Sequence, residues 1–118
     1  MTQMQFSSVS NSESGDYFQV LFEKDEGNLE ADYFLVQCQF EFPEEEGFYI
    51  ESKDTQFCGH FKIQTVTLSR QWLRLEMPST KWKGIQIHFA ADEASYEELA
   101  RVLNTMFGDR LQLTGQNV

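Results

Sequence analysis

Residues 33–42 read YFLVQCQFEF, and apolar side chains recur there at every second position. Phe34, Val36, Cys38, Phe40 and Phe42 fall on one side of an extended chain. Tyr33, Leu35, Gln37, Gln39 and Glu41 fall on the other. Side chains alternate across a strand, so this is the pattern of a long strand with one face buried. Pro43 ends it, because proline has no N–H to give to a ladder.

The same period extends in both directions. Upstream, Phe18, Val20 and Phe22 alternate with Tyr17, Gln19 and Leu21, and the segment Lys24-Asp25-Glu26-Gly27-Asn28 is rich in turn formers. Downstream of Gly47, Phe48 and Ile50 take one side, Tyr49 and Glu51 the other. A fourth strand starts near Phe57. Phe61 and Ile63 share a phase that Val66 and Leu68 break, which predicts a bulge or bend at residues 64–65. Strands over residues 72–77 and 83–90 turn Leu73, Leu75 and Met77, and Ile85, Ile87 and Phe89, inward.

The period then becomes helical. Tyr96, Leu99, Ala100, Leu103, Met106 and Phe107 form one apolar stripe. Ser95 with Glu98 fits a capping box, Asp92 competes as N-cap, and Gly108 stands where a helix-ending glycine belongs. Leu111 and Leu113 suggest a short edge strand. Hairpin-length links argue for antiparallel pairing. The expected fold is α+β: an antiparallel sheet of about six strands with one C-terminal amphipathic helix on one face. Residues 1–15, with five serines, read as a loose polar leader, and residues 16–118 as a single domain.

The formal net charge is -10 over 118 residues. A field of that sign repels phosphate backbones and anionic bilayers, so nucleic acid and membrane are not expected partners. It favours a basic protein and salt-sensitive association with it. Two cysteines, Cys38 and Cys58, are too few for a disulfide scaffold. The first residues carry no signal-peptide pattern, and no run approaches the roughly 18 apolar residues of a membrane span. A cytoplasmic protein with reduced thiols is expected, as monomer or homodimer.

One helix covers one sheet face and leaves the other. That second face carries Tyr33, Gln37, Gln39, Glu41, Tyr49, Glu51, Cys58, His60, Lys62, Trp72, Arg74, Gln86 and His88. Tyrosine and tryptophan among charged neighbours have the composition of a protein-binding patch, and also of a solvated sheet face. The expected partner-binding residues are Tyr33, Glu41, Glu44, Glu45, Glu46, Tyr49, Glu51, Asp54 and Trp72. The six acidic ones lie within fourteen residues, on two strands joined by one turn. Cys58 and His60, one residue apart, share a strand face and have the residue types of a nucleophile pair. Cys38 alternates away from them, and the Cys and His spacings match no zinc pattern. The acidic turn lacks the environment that raises a carboxyl pKa for acid–base work, and it lacks calcium-loop spacing. No phosphate loop, G-x-S-x-G or H-E-x-x-H occurs. No catalytic residue, cofactor or metal is therefore expected.

The succession YFLVQCQFEFP, FYIES, CGHF, LSRQWLRLEM and IQIHFAADEASYEELARVL, over residues 16–107, resembles small acidic immunity proteins (the Imm class) of bacterial polymorphic toxin systems, Rhs-type or contact-dependent. The resemblance implies a cytoplasmic, non-catalytic antitoxin that binds one cognate toxin and occludes its active site or substrate cleft. It brings no site residues with it. The alternative is a small enzyme or ligand-binding domain using the open face around Cys58, His60 and Glu51.

Overall fold

The structure, a computed structural model, describes residues 1–28, 30–39 and 48–114. The described strands are β1 (Thr2–Gln5), β2 (Ser8–Ser14), β3 (Tyr17–Glu23), β4 (Tyr33–Gln39), β5 (Phe48–Ser52), β6 (Gly59–Phe61), β7 (Thr65–Leu68), β8 (Trp72–Glu76), β9 (Gly84–His88) and β10 (Leu111–Leu113). One α-helix, α1 (Glu93–Phe107), precedes β10. The fold is α+β. Its strands divide between two five-stranded sheets instead of lying in one. The order β2-β3-β4-β5-β6 is antiparallel throughout. The order β1-β9-β8-β7-β10 is antiparallel at its centre, with β1 parallel to β9 and β10 parallel to β7 at its edges.

Two departures from the sequence reading have clear physical causes. The phase break at residues 64–65 is not a bulge but a crossing. Residues 62–64 carry the chain from β6 in one sheet to β7 in the other, so the two phases belong to two different sheets. The supposed leader is two strands. The Gly15-Asp16 link, with Gly15 at φ +60°, is a two-residue hairpin turn that folds β2 onto the whole of β3, from Ser14↔Tyr17 to Ser8↔Glu23. Phe6 is buried between β1 and β2, and its N–H donates to the His88 carbonyl at 2.8 Å. Serine in an edge strand needs only a paired neighbour, not an apolar run of its own.

Both sheets turn their apolar faces to one core. Val20, Phe22, Phe34, Val36 and Ile50 come from the antiparallel sheet, and Val66, Leu68, Leu73, Leu75, Ile85 and Ile87 from the mixed one; all are fully buried. The helix packs on β2 and β3. Asp92 is its N-cap, accepting the Ser95 N–H at 2.7 Å, and Gly108 closes it at φ +53°. Leu99, Val102, Leu103, Met106 and Phe107 face the core, while Tyr96 and Ala100 border it. Arg101, on the outer side of α1, pairs with Glu13 of β2 at 2.6 Å and with Glu98. Trp82, in the β8–β9 connection, meets Phe57 and Phe61 edge-on at centroid distances of 4.8 and 5.6 Å, tying one sheet to the other. Among the described residues no helix is long and apolar enough to cross a membrane.

Candidate partner-binding face

Each sheet has an outer face, and the residues expected on one surface are shared between the two. Strand register assembles the outer face of the antiparallel sheet row by row. Gln19, Gln37, Tyr49 and His60 lie side by side across β3 to β6. The next row is Leu21, Leu35 and Glu51. Tyr17 opposes Gln39 at one end of the β3–β4 pair, and Tyr33 opposes Glu23 at the other. Two half-buried leucines therefore sit together; Gln19 and Glu23 flank them along β3, Tyr33 and Gln37 along β4, Tyr49 and Glu51 lie on the β5 side, and Ser10 is opposite Leu21 on β2.

Hydrogen bonds hold this border in place. The Tyr33 hydroxyl donates to Glu51 Oε2 at 2.7 Å, and the Tyr49 hydroxyl donates to Glu51 Oε1 at 2.8 Å. The Tyr17 hydroxyl lies 2.6 Å from Gln19 Oε1 and 2.7 Å from Gln37 Oε1. It has one hydrogen, so one amide accepts it and the other, turned over, donates. Donation from Tyr33, then from Tyr49, holds the Glu51 carboxyl below the usual glutamate range. The reciprocal effect pushes the Tyr33 phenol up to about 12, with burial and the Glu51 charge adding to it. Tyr49 is raised for the same leading reason.

The signs fix a pH window. A raised phenol contributes stability in full below its unfolded value, and that contribution fades as pH climbs to about 12. A lowered carboxyl contributes above its unfolded value, and loses that contribution as pH falls through its folded one. The triad is therefore intact across neutral pH. In a ring-carbon NMR titration, Tyr33 should ionise near 12, and in Glu51→Gln its midpoint should fall back toward 10. A midpoint unmoved by that change would assign the shift to burial instead of the carboxylate.

The other expected residues are placed differently. Trp72 lies on the outer face of the mixed sheet, opposite His88 in register, with the Arg74 guanidinium 4.8 Å from its ring centroid. It is not beside Tyr33 and Tyr49, because strand alternation specifies a face but not a sheet. Asp54 is in the loop after β5, where its carboxylate accepts the Gln56 N–H at 3.2 Å and Nε2 at 3.0 Å. Glu41, Glu44, Glu45 and Glu46 lie outside the described residues.

Cys58 and His60 do not share a strand. Cys58 precedes β6, and Gly59 between them takes φ +128°, so alternation does not reach back to the cysteine. The Cys58 thiol is directed at the Ser52 carbonyl, 3.2 Å away. Cys38 is half-buried against the core, as its phase implies. Among the described residues no three His, Cys, Asp or Glu side chains gather as a metal site. An open cleft of 740 Å³ lies between Phe48, Ile63, Pro78 and Arg110, apart from Cys58, His60 and Glu51.

Sequence reasoning put Leu21 and Leu35 on the outward phase but did not single them out. Their importance comes from being register partners, and only the hairpin between β3 and β4 determines that. No protein-family model, no curated protein and no solved structure matches the chain.

Proposed function

We propose that the chain is a non-catalytic immunity protein, which binds a cognate bacterial toxin through the outer face of β3, β4 and β5 and occludes the toxin's active site or substrate cleft. One observation carries this reading: an apolar pair, Leu21 and Leu35, bordered on the Leu35 side by Tyr33 and Tyr49, which hydrogen bonds to Glu51 hold in position. An apolar centre with an aromatic and polar border is how protein interfaces are composed. Side chains already fixed in one conformation lose little entropy on docking. The net charge of -10 suits a basic toxin and gives its approach a salt dependence.

The test is co-expression with the toxin encoded beside the gene, followed by binding kinetics with the purified pair. Wild type should protect cells and form a stoichiometric complex whose association slows as salt is raised. Leu35→Thr places a β-branched residue, which suits a strand, but removes apolar area at the centre. It should speed dissociation by roughly thirtyfold, the equivalent of a hot spot of about 2 kcal/mol. Protection by Leu35→Thr with unchanged kinetics would remove this face from the reading, and failure of wild type to protect would remove the immunity function itself.

A further inference from the structure

Glu51 is an unusual carboxylate for an acidic surface. Each of its oxygens is held by a separate phenol, from Tyr49 on its own strand and from Tyr33 on the neighbouring one. Among the described residues no lysine or arginine pairs with it; the ion pairs there join Arg70 to Glu93, and Arg101 to Glu13 and Glu98. Two neutral donors thus fix the group without neutralising it. A carboxylate offers about four lone-pair sites, of which the tyrosines use two. The group lies beside Leu35, its register partner, at the edge of the apolar pair. Tyr49 is further supported by His60, whose ring centroid is 5.4 Å away.

We propose that Tyr33, Glu51 and Tyr49 form a receptor for one arginine side chain of the partner protein, with the carboxylate taking the guanidinium and the two phenol rings lying along its plane. The proposal rests on the reading of this face as a toxin-binding surface and names the group it recognises. Guanidinium is favoured over ammonium because it is planar and weakly hydrated. It can lie against an aromatic ring while its in-plane N–H groups donate to a carboxylate. An ammonium is held more strongly by water and has no flat face to offer. The remaining lone pairs of Glu51 then accept charge-assisted bonds, and neither tyrosine has to give up its own. A residue pinned at both oxygens also needs no rotamer search before an arginine arrives.

The site can be tested without the toxin. Isotope-labelled protein is titrated by NMR with capped arginine amide, and in parallel with capped citrulline, which has the same shape and no charge, and with capped lysine. Sodium chloride holds ionic strength constant. Arginine should shift the Glu51 carboxyl carbon and the Tyr33 and Tyr49 ring signals saturably in the millimolar range. Citrulline should bind at least tenfold more weakly, and lysine should fall between them. Glu51→Gln should abolish the response. Tyr33→Phe with Tyr49→Phe, which keeps both rings and frees the carboxylate, should weaken arginine severalfold.

Equal shifts from arginine and citrulline, shifts of the same size in Glu51→Gln, or shifts spread evenly over the surface carboxylates would overturn the proposal. The two readings separate in the kinetic assay. Toxin binding weakened by Leu35→Thr but untouched by Glu51→Gln overturns the arginine receptor and leaves the immunity function standing. Saturable arginine binding in a chain that gives no protection supports the receptor and overturns that function.

Discussion

Gly84→Ala should cost the fold about 3 kcal/mol or more, read as a fall in the denaturation midpoint at unchanged slope. Gly84 opens β9 at φ +148°, in a region that side chains rarely adopt. A Cβ there would lie 2.3 Å from the Leu75 carbonyl oxygen and 3.2 Å from the Glu76 Cα. Neither atom is free to retreat. Leu75 is in β8, which pairs with β7 on one side and β9 on the other. The preceding connection is also tight: the Met77 N–H donates to the Lys83 carbonyl at 2.9 Å, and Lys83 itself is at φ +65°. Gly15→Ala is the natural control. Gly15 is also left-handed, at φ +60°, but nothing lies within 4 Å of its added Cβ. Its cost should be the conformational part alone, about 1 kcal/mol. Equal midpoints for the two variants would show that the contact with Leu75 is relieved by movement of β8.

How far the fold was legible follows from which signals are local. The alternation in β3, β4, β5, β8 and β9 and the stripe of α1 are properties of single elements, and each appears at the expected phase. The partition into two sheets is not such a property. Ile63 and Val66 are both core residues, and only the phase slip between them marks a change of sheet, which a bulge would mimic. The parallel pairings of β1 with β9 and β10 with β7 join chain segments far apart in sequence, so no hairpin turn announces them. Edge strands need the least apolar content, and so β1 and β2 read as a polar leader in sequence although Gly15-Asp16 is a readable turn.

The candidate binding face divides along the same line. That Tyr33, Tyr49 and Glu51 point outward was legible from alternation alone. That Tyr33 and Tyr49 close on the same carboxylate depends on the β4–β5 register, which sets Leu35 opposite Glu51. Moving that register by one residue would turn every one of these side chains to the other face. Trp72 shares their outward phase, but its phase is that of a strand in the mixed sheet.

Phe22→Ala should cost about 3–5 kcal/mol, the range for emptying a large aromatic site in a packed core. Phe22 is fully buried in β3 and meets Phe89 at 5.4 Å and Phe6 at 6.3 Å between ring centroids. Both partners directly follow strands of the mixed sheet. Phe6 links β1 to β2, and Phe89 follows β9 directly. The Phe6 N–H is bonded to the His88 carbonyl and the Phe89 N–H to the Gln71 carbonyl, so both backbones are anchored. Neither ring can follow the missing one inward without breaking a backbone hydrogen bond, and the cavity should stay largely open. Phe22→Leu fills most of that volume and should cost less than about 1.5 kcal/mol. A loss below about 1 kcal/mol for the alanine variant would mean that the sheets close over the gap, and that the joint between them is softer than these contacts imply. The substitution also separates stability from recognition. Phe22 points into the core, while its neighbour Leu21 points out onto the proposed binding face. On the folded fraction, Phe22→Ala should associate with the proposed toxin partner at the wild-type rate. A slowed association would show that the outer face takes its shape from the packing beneath it.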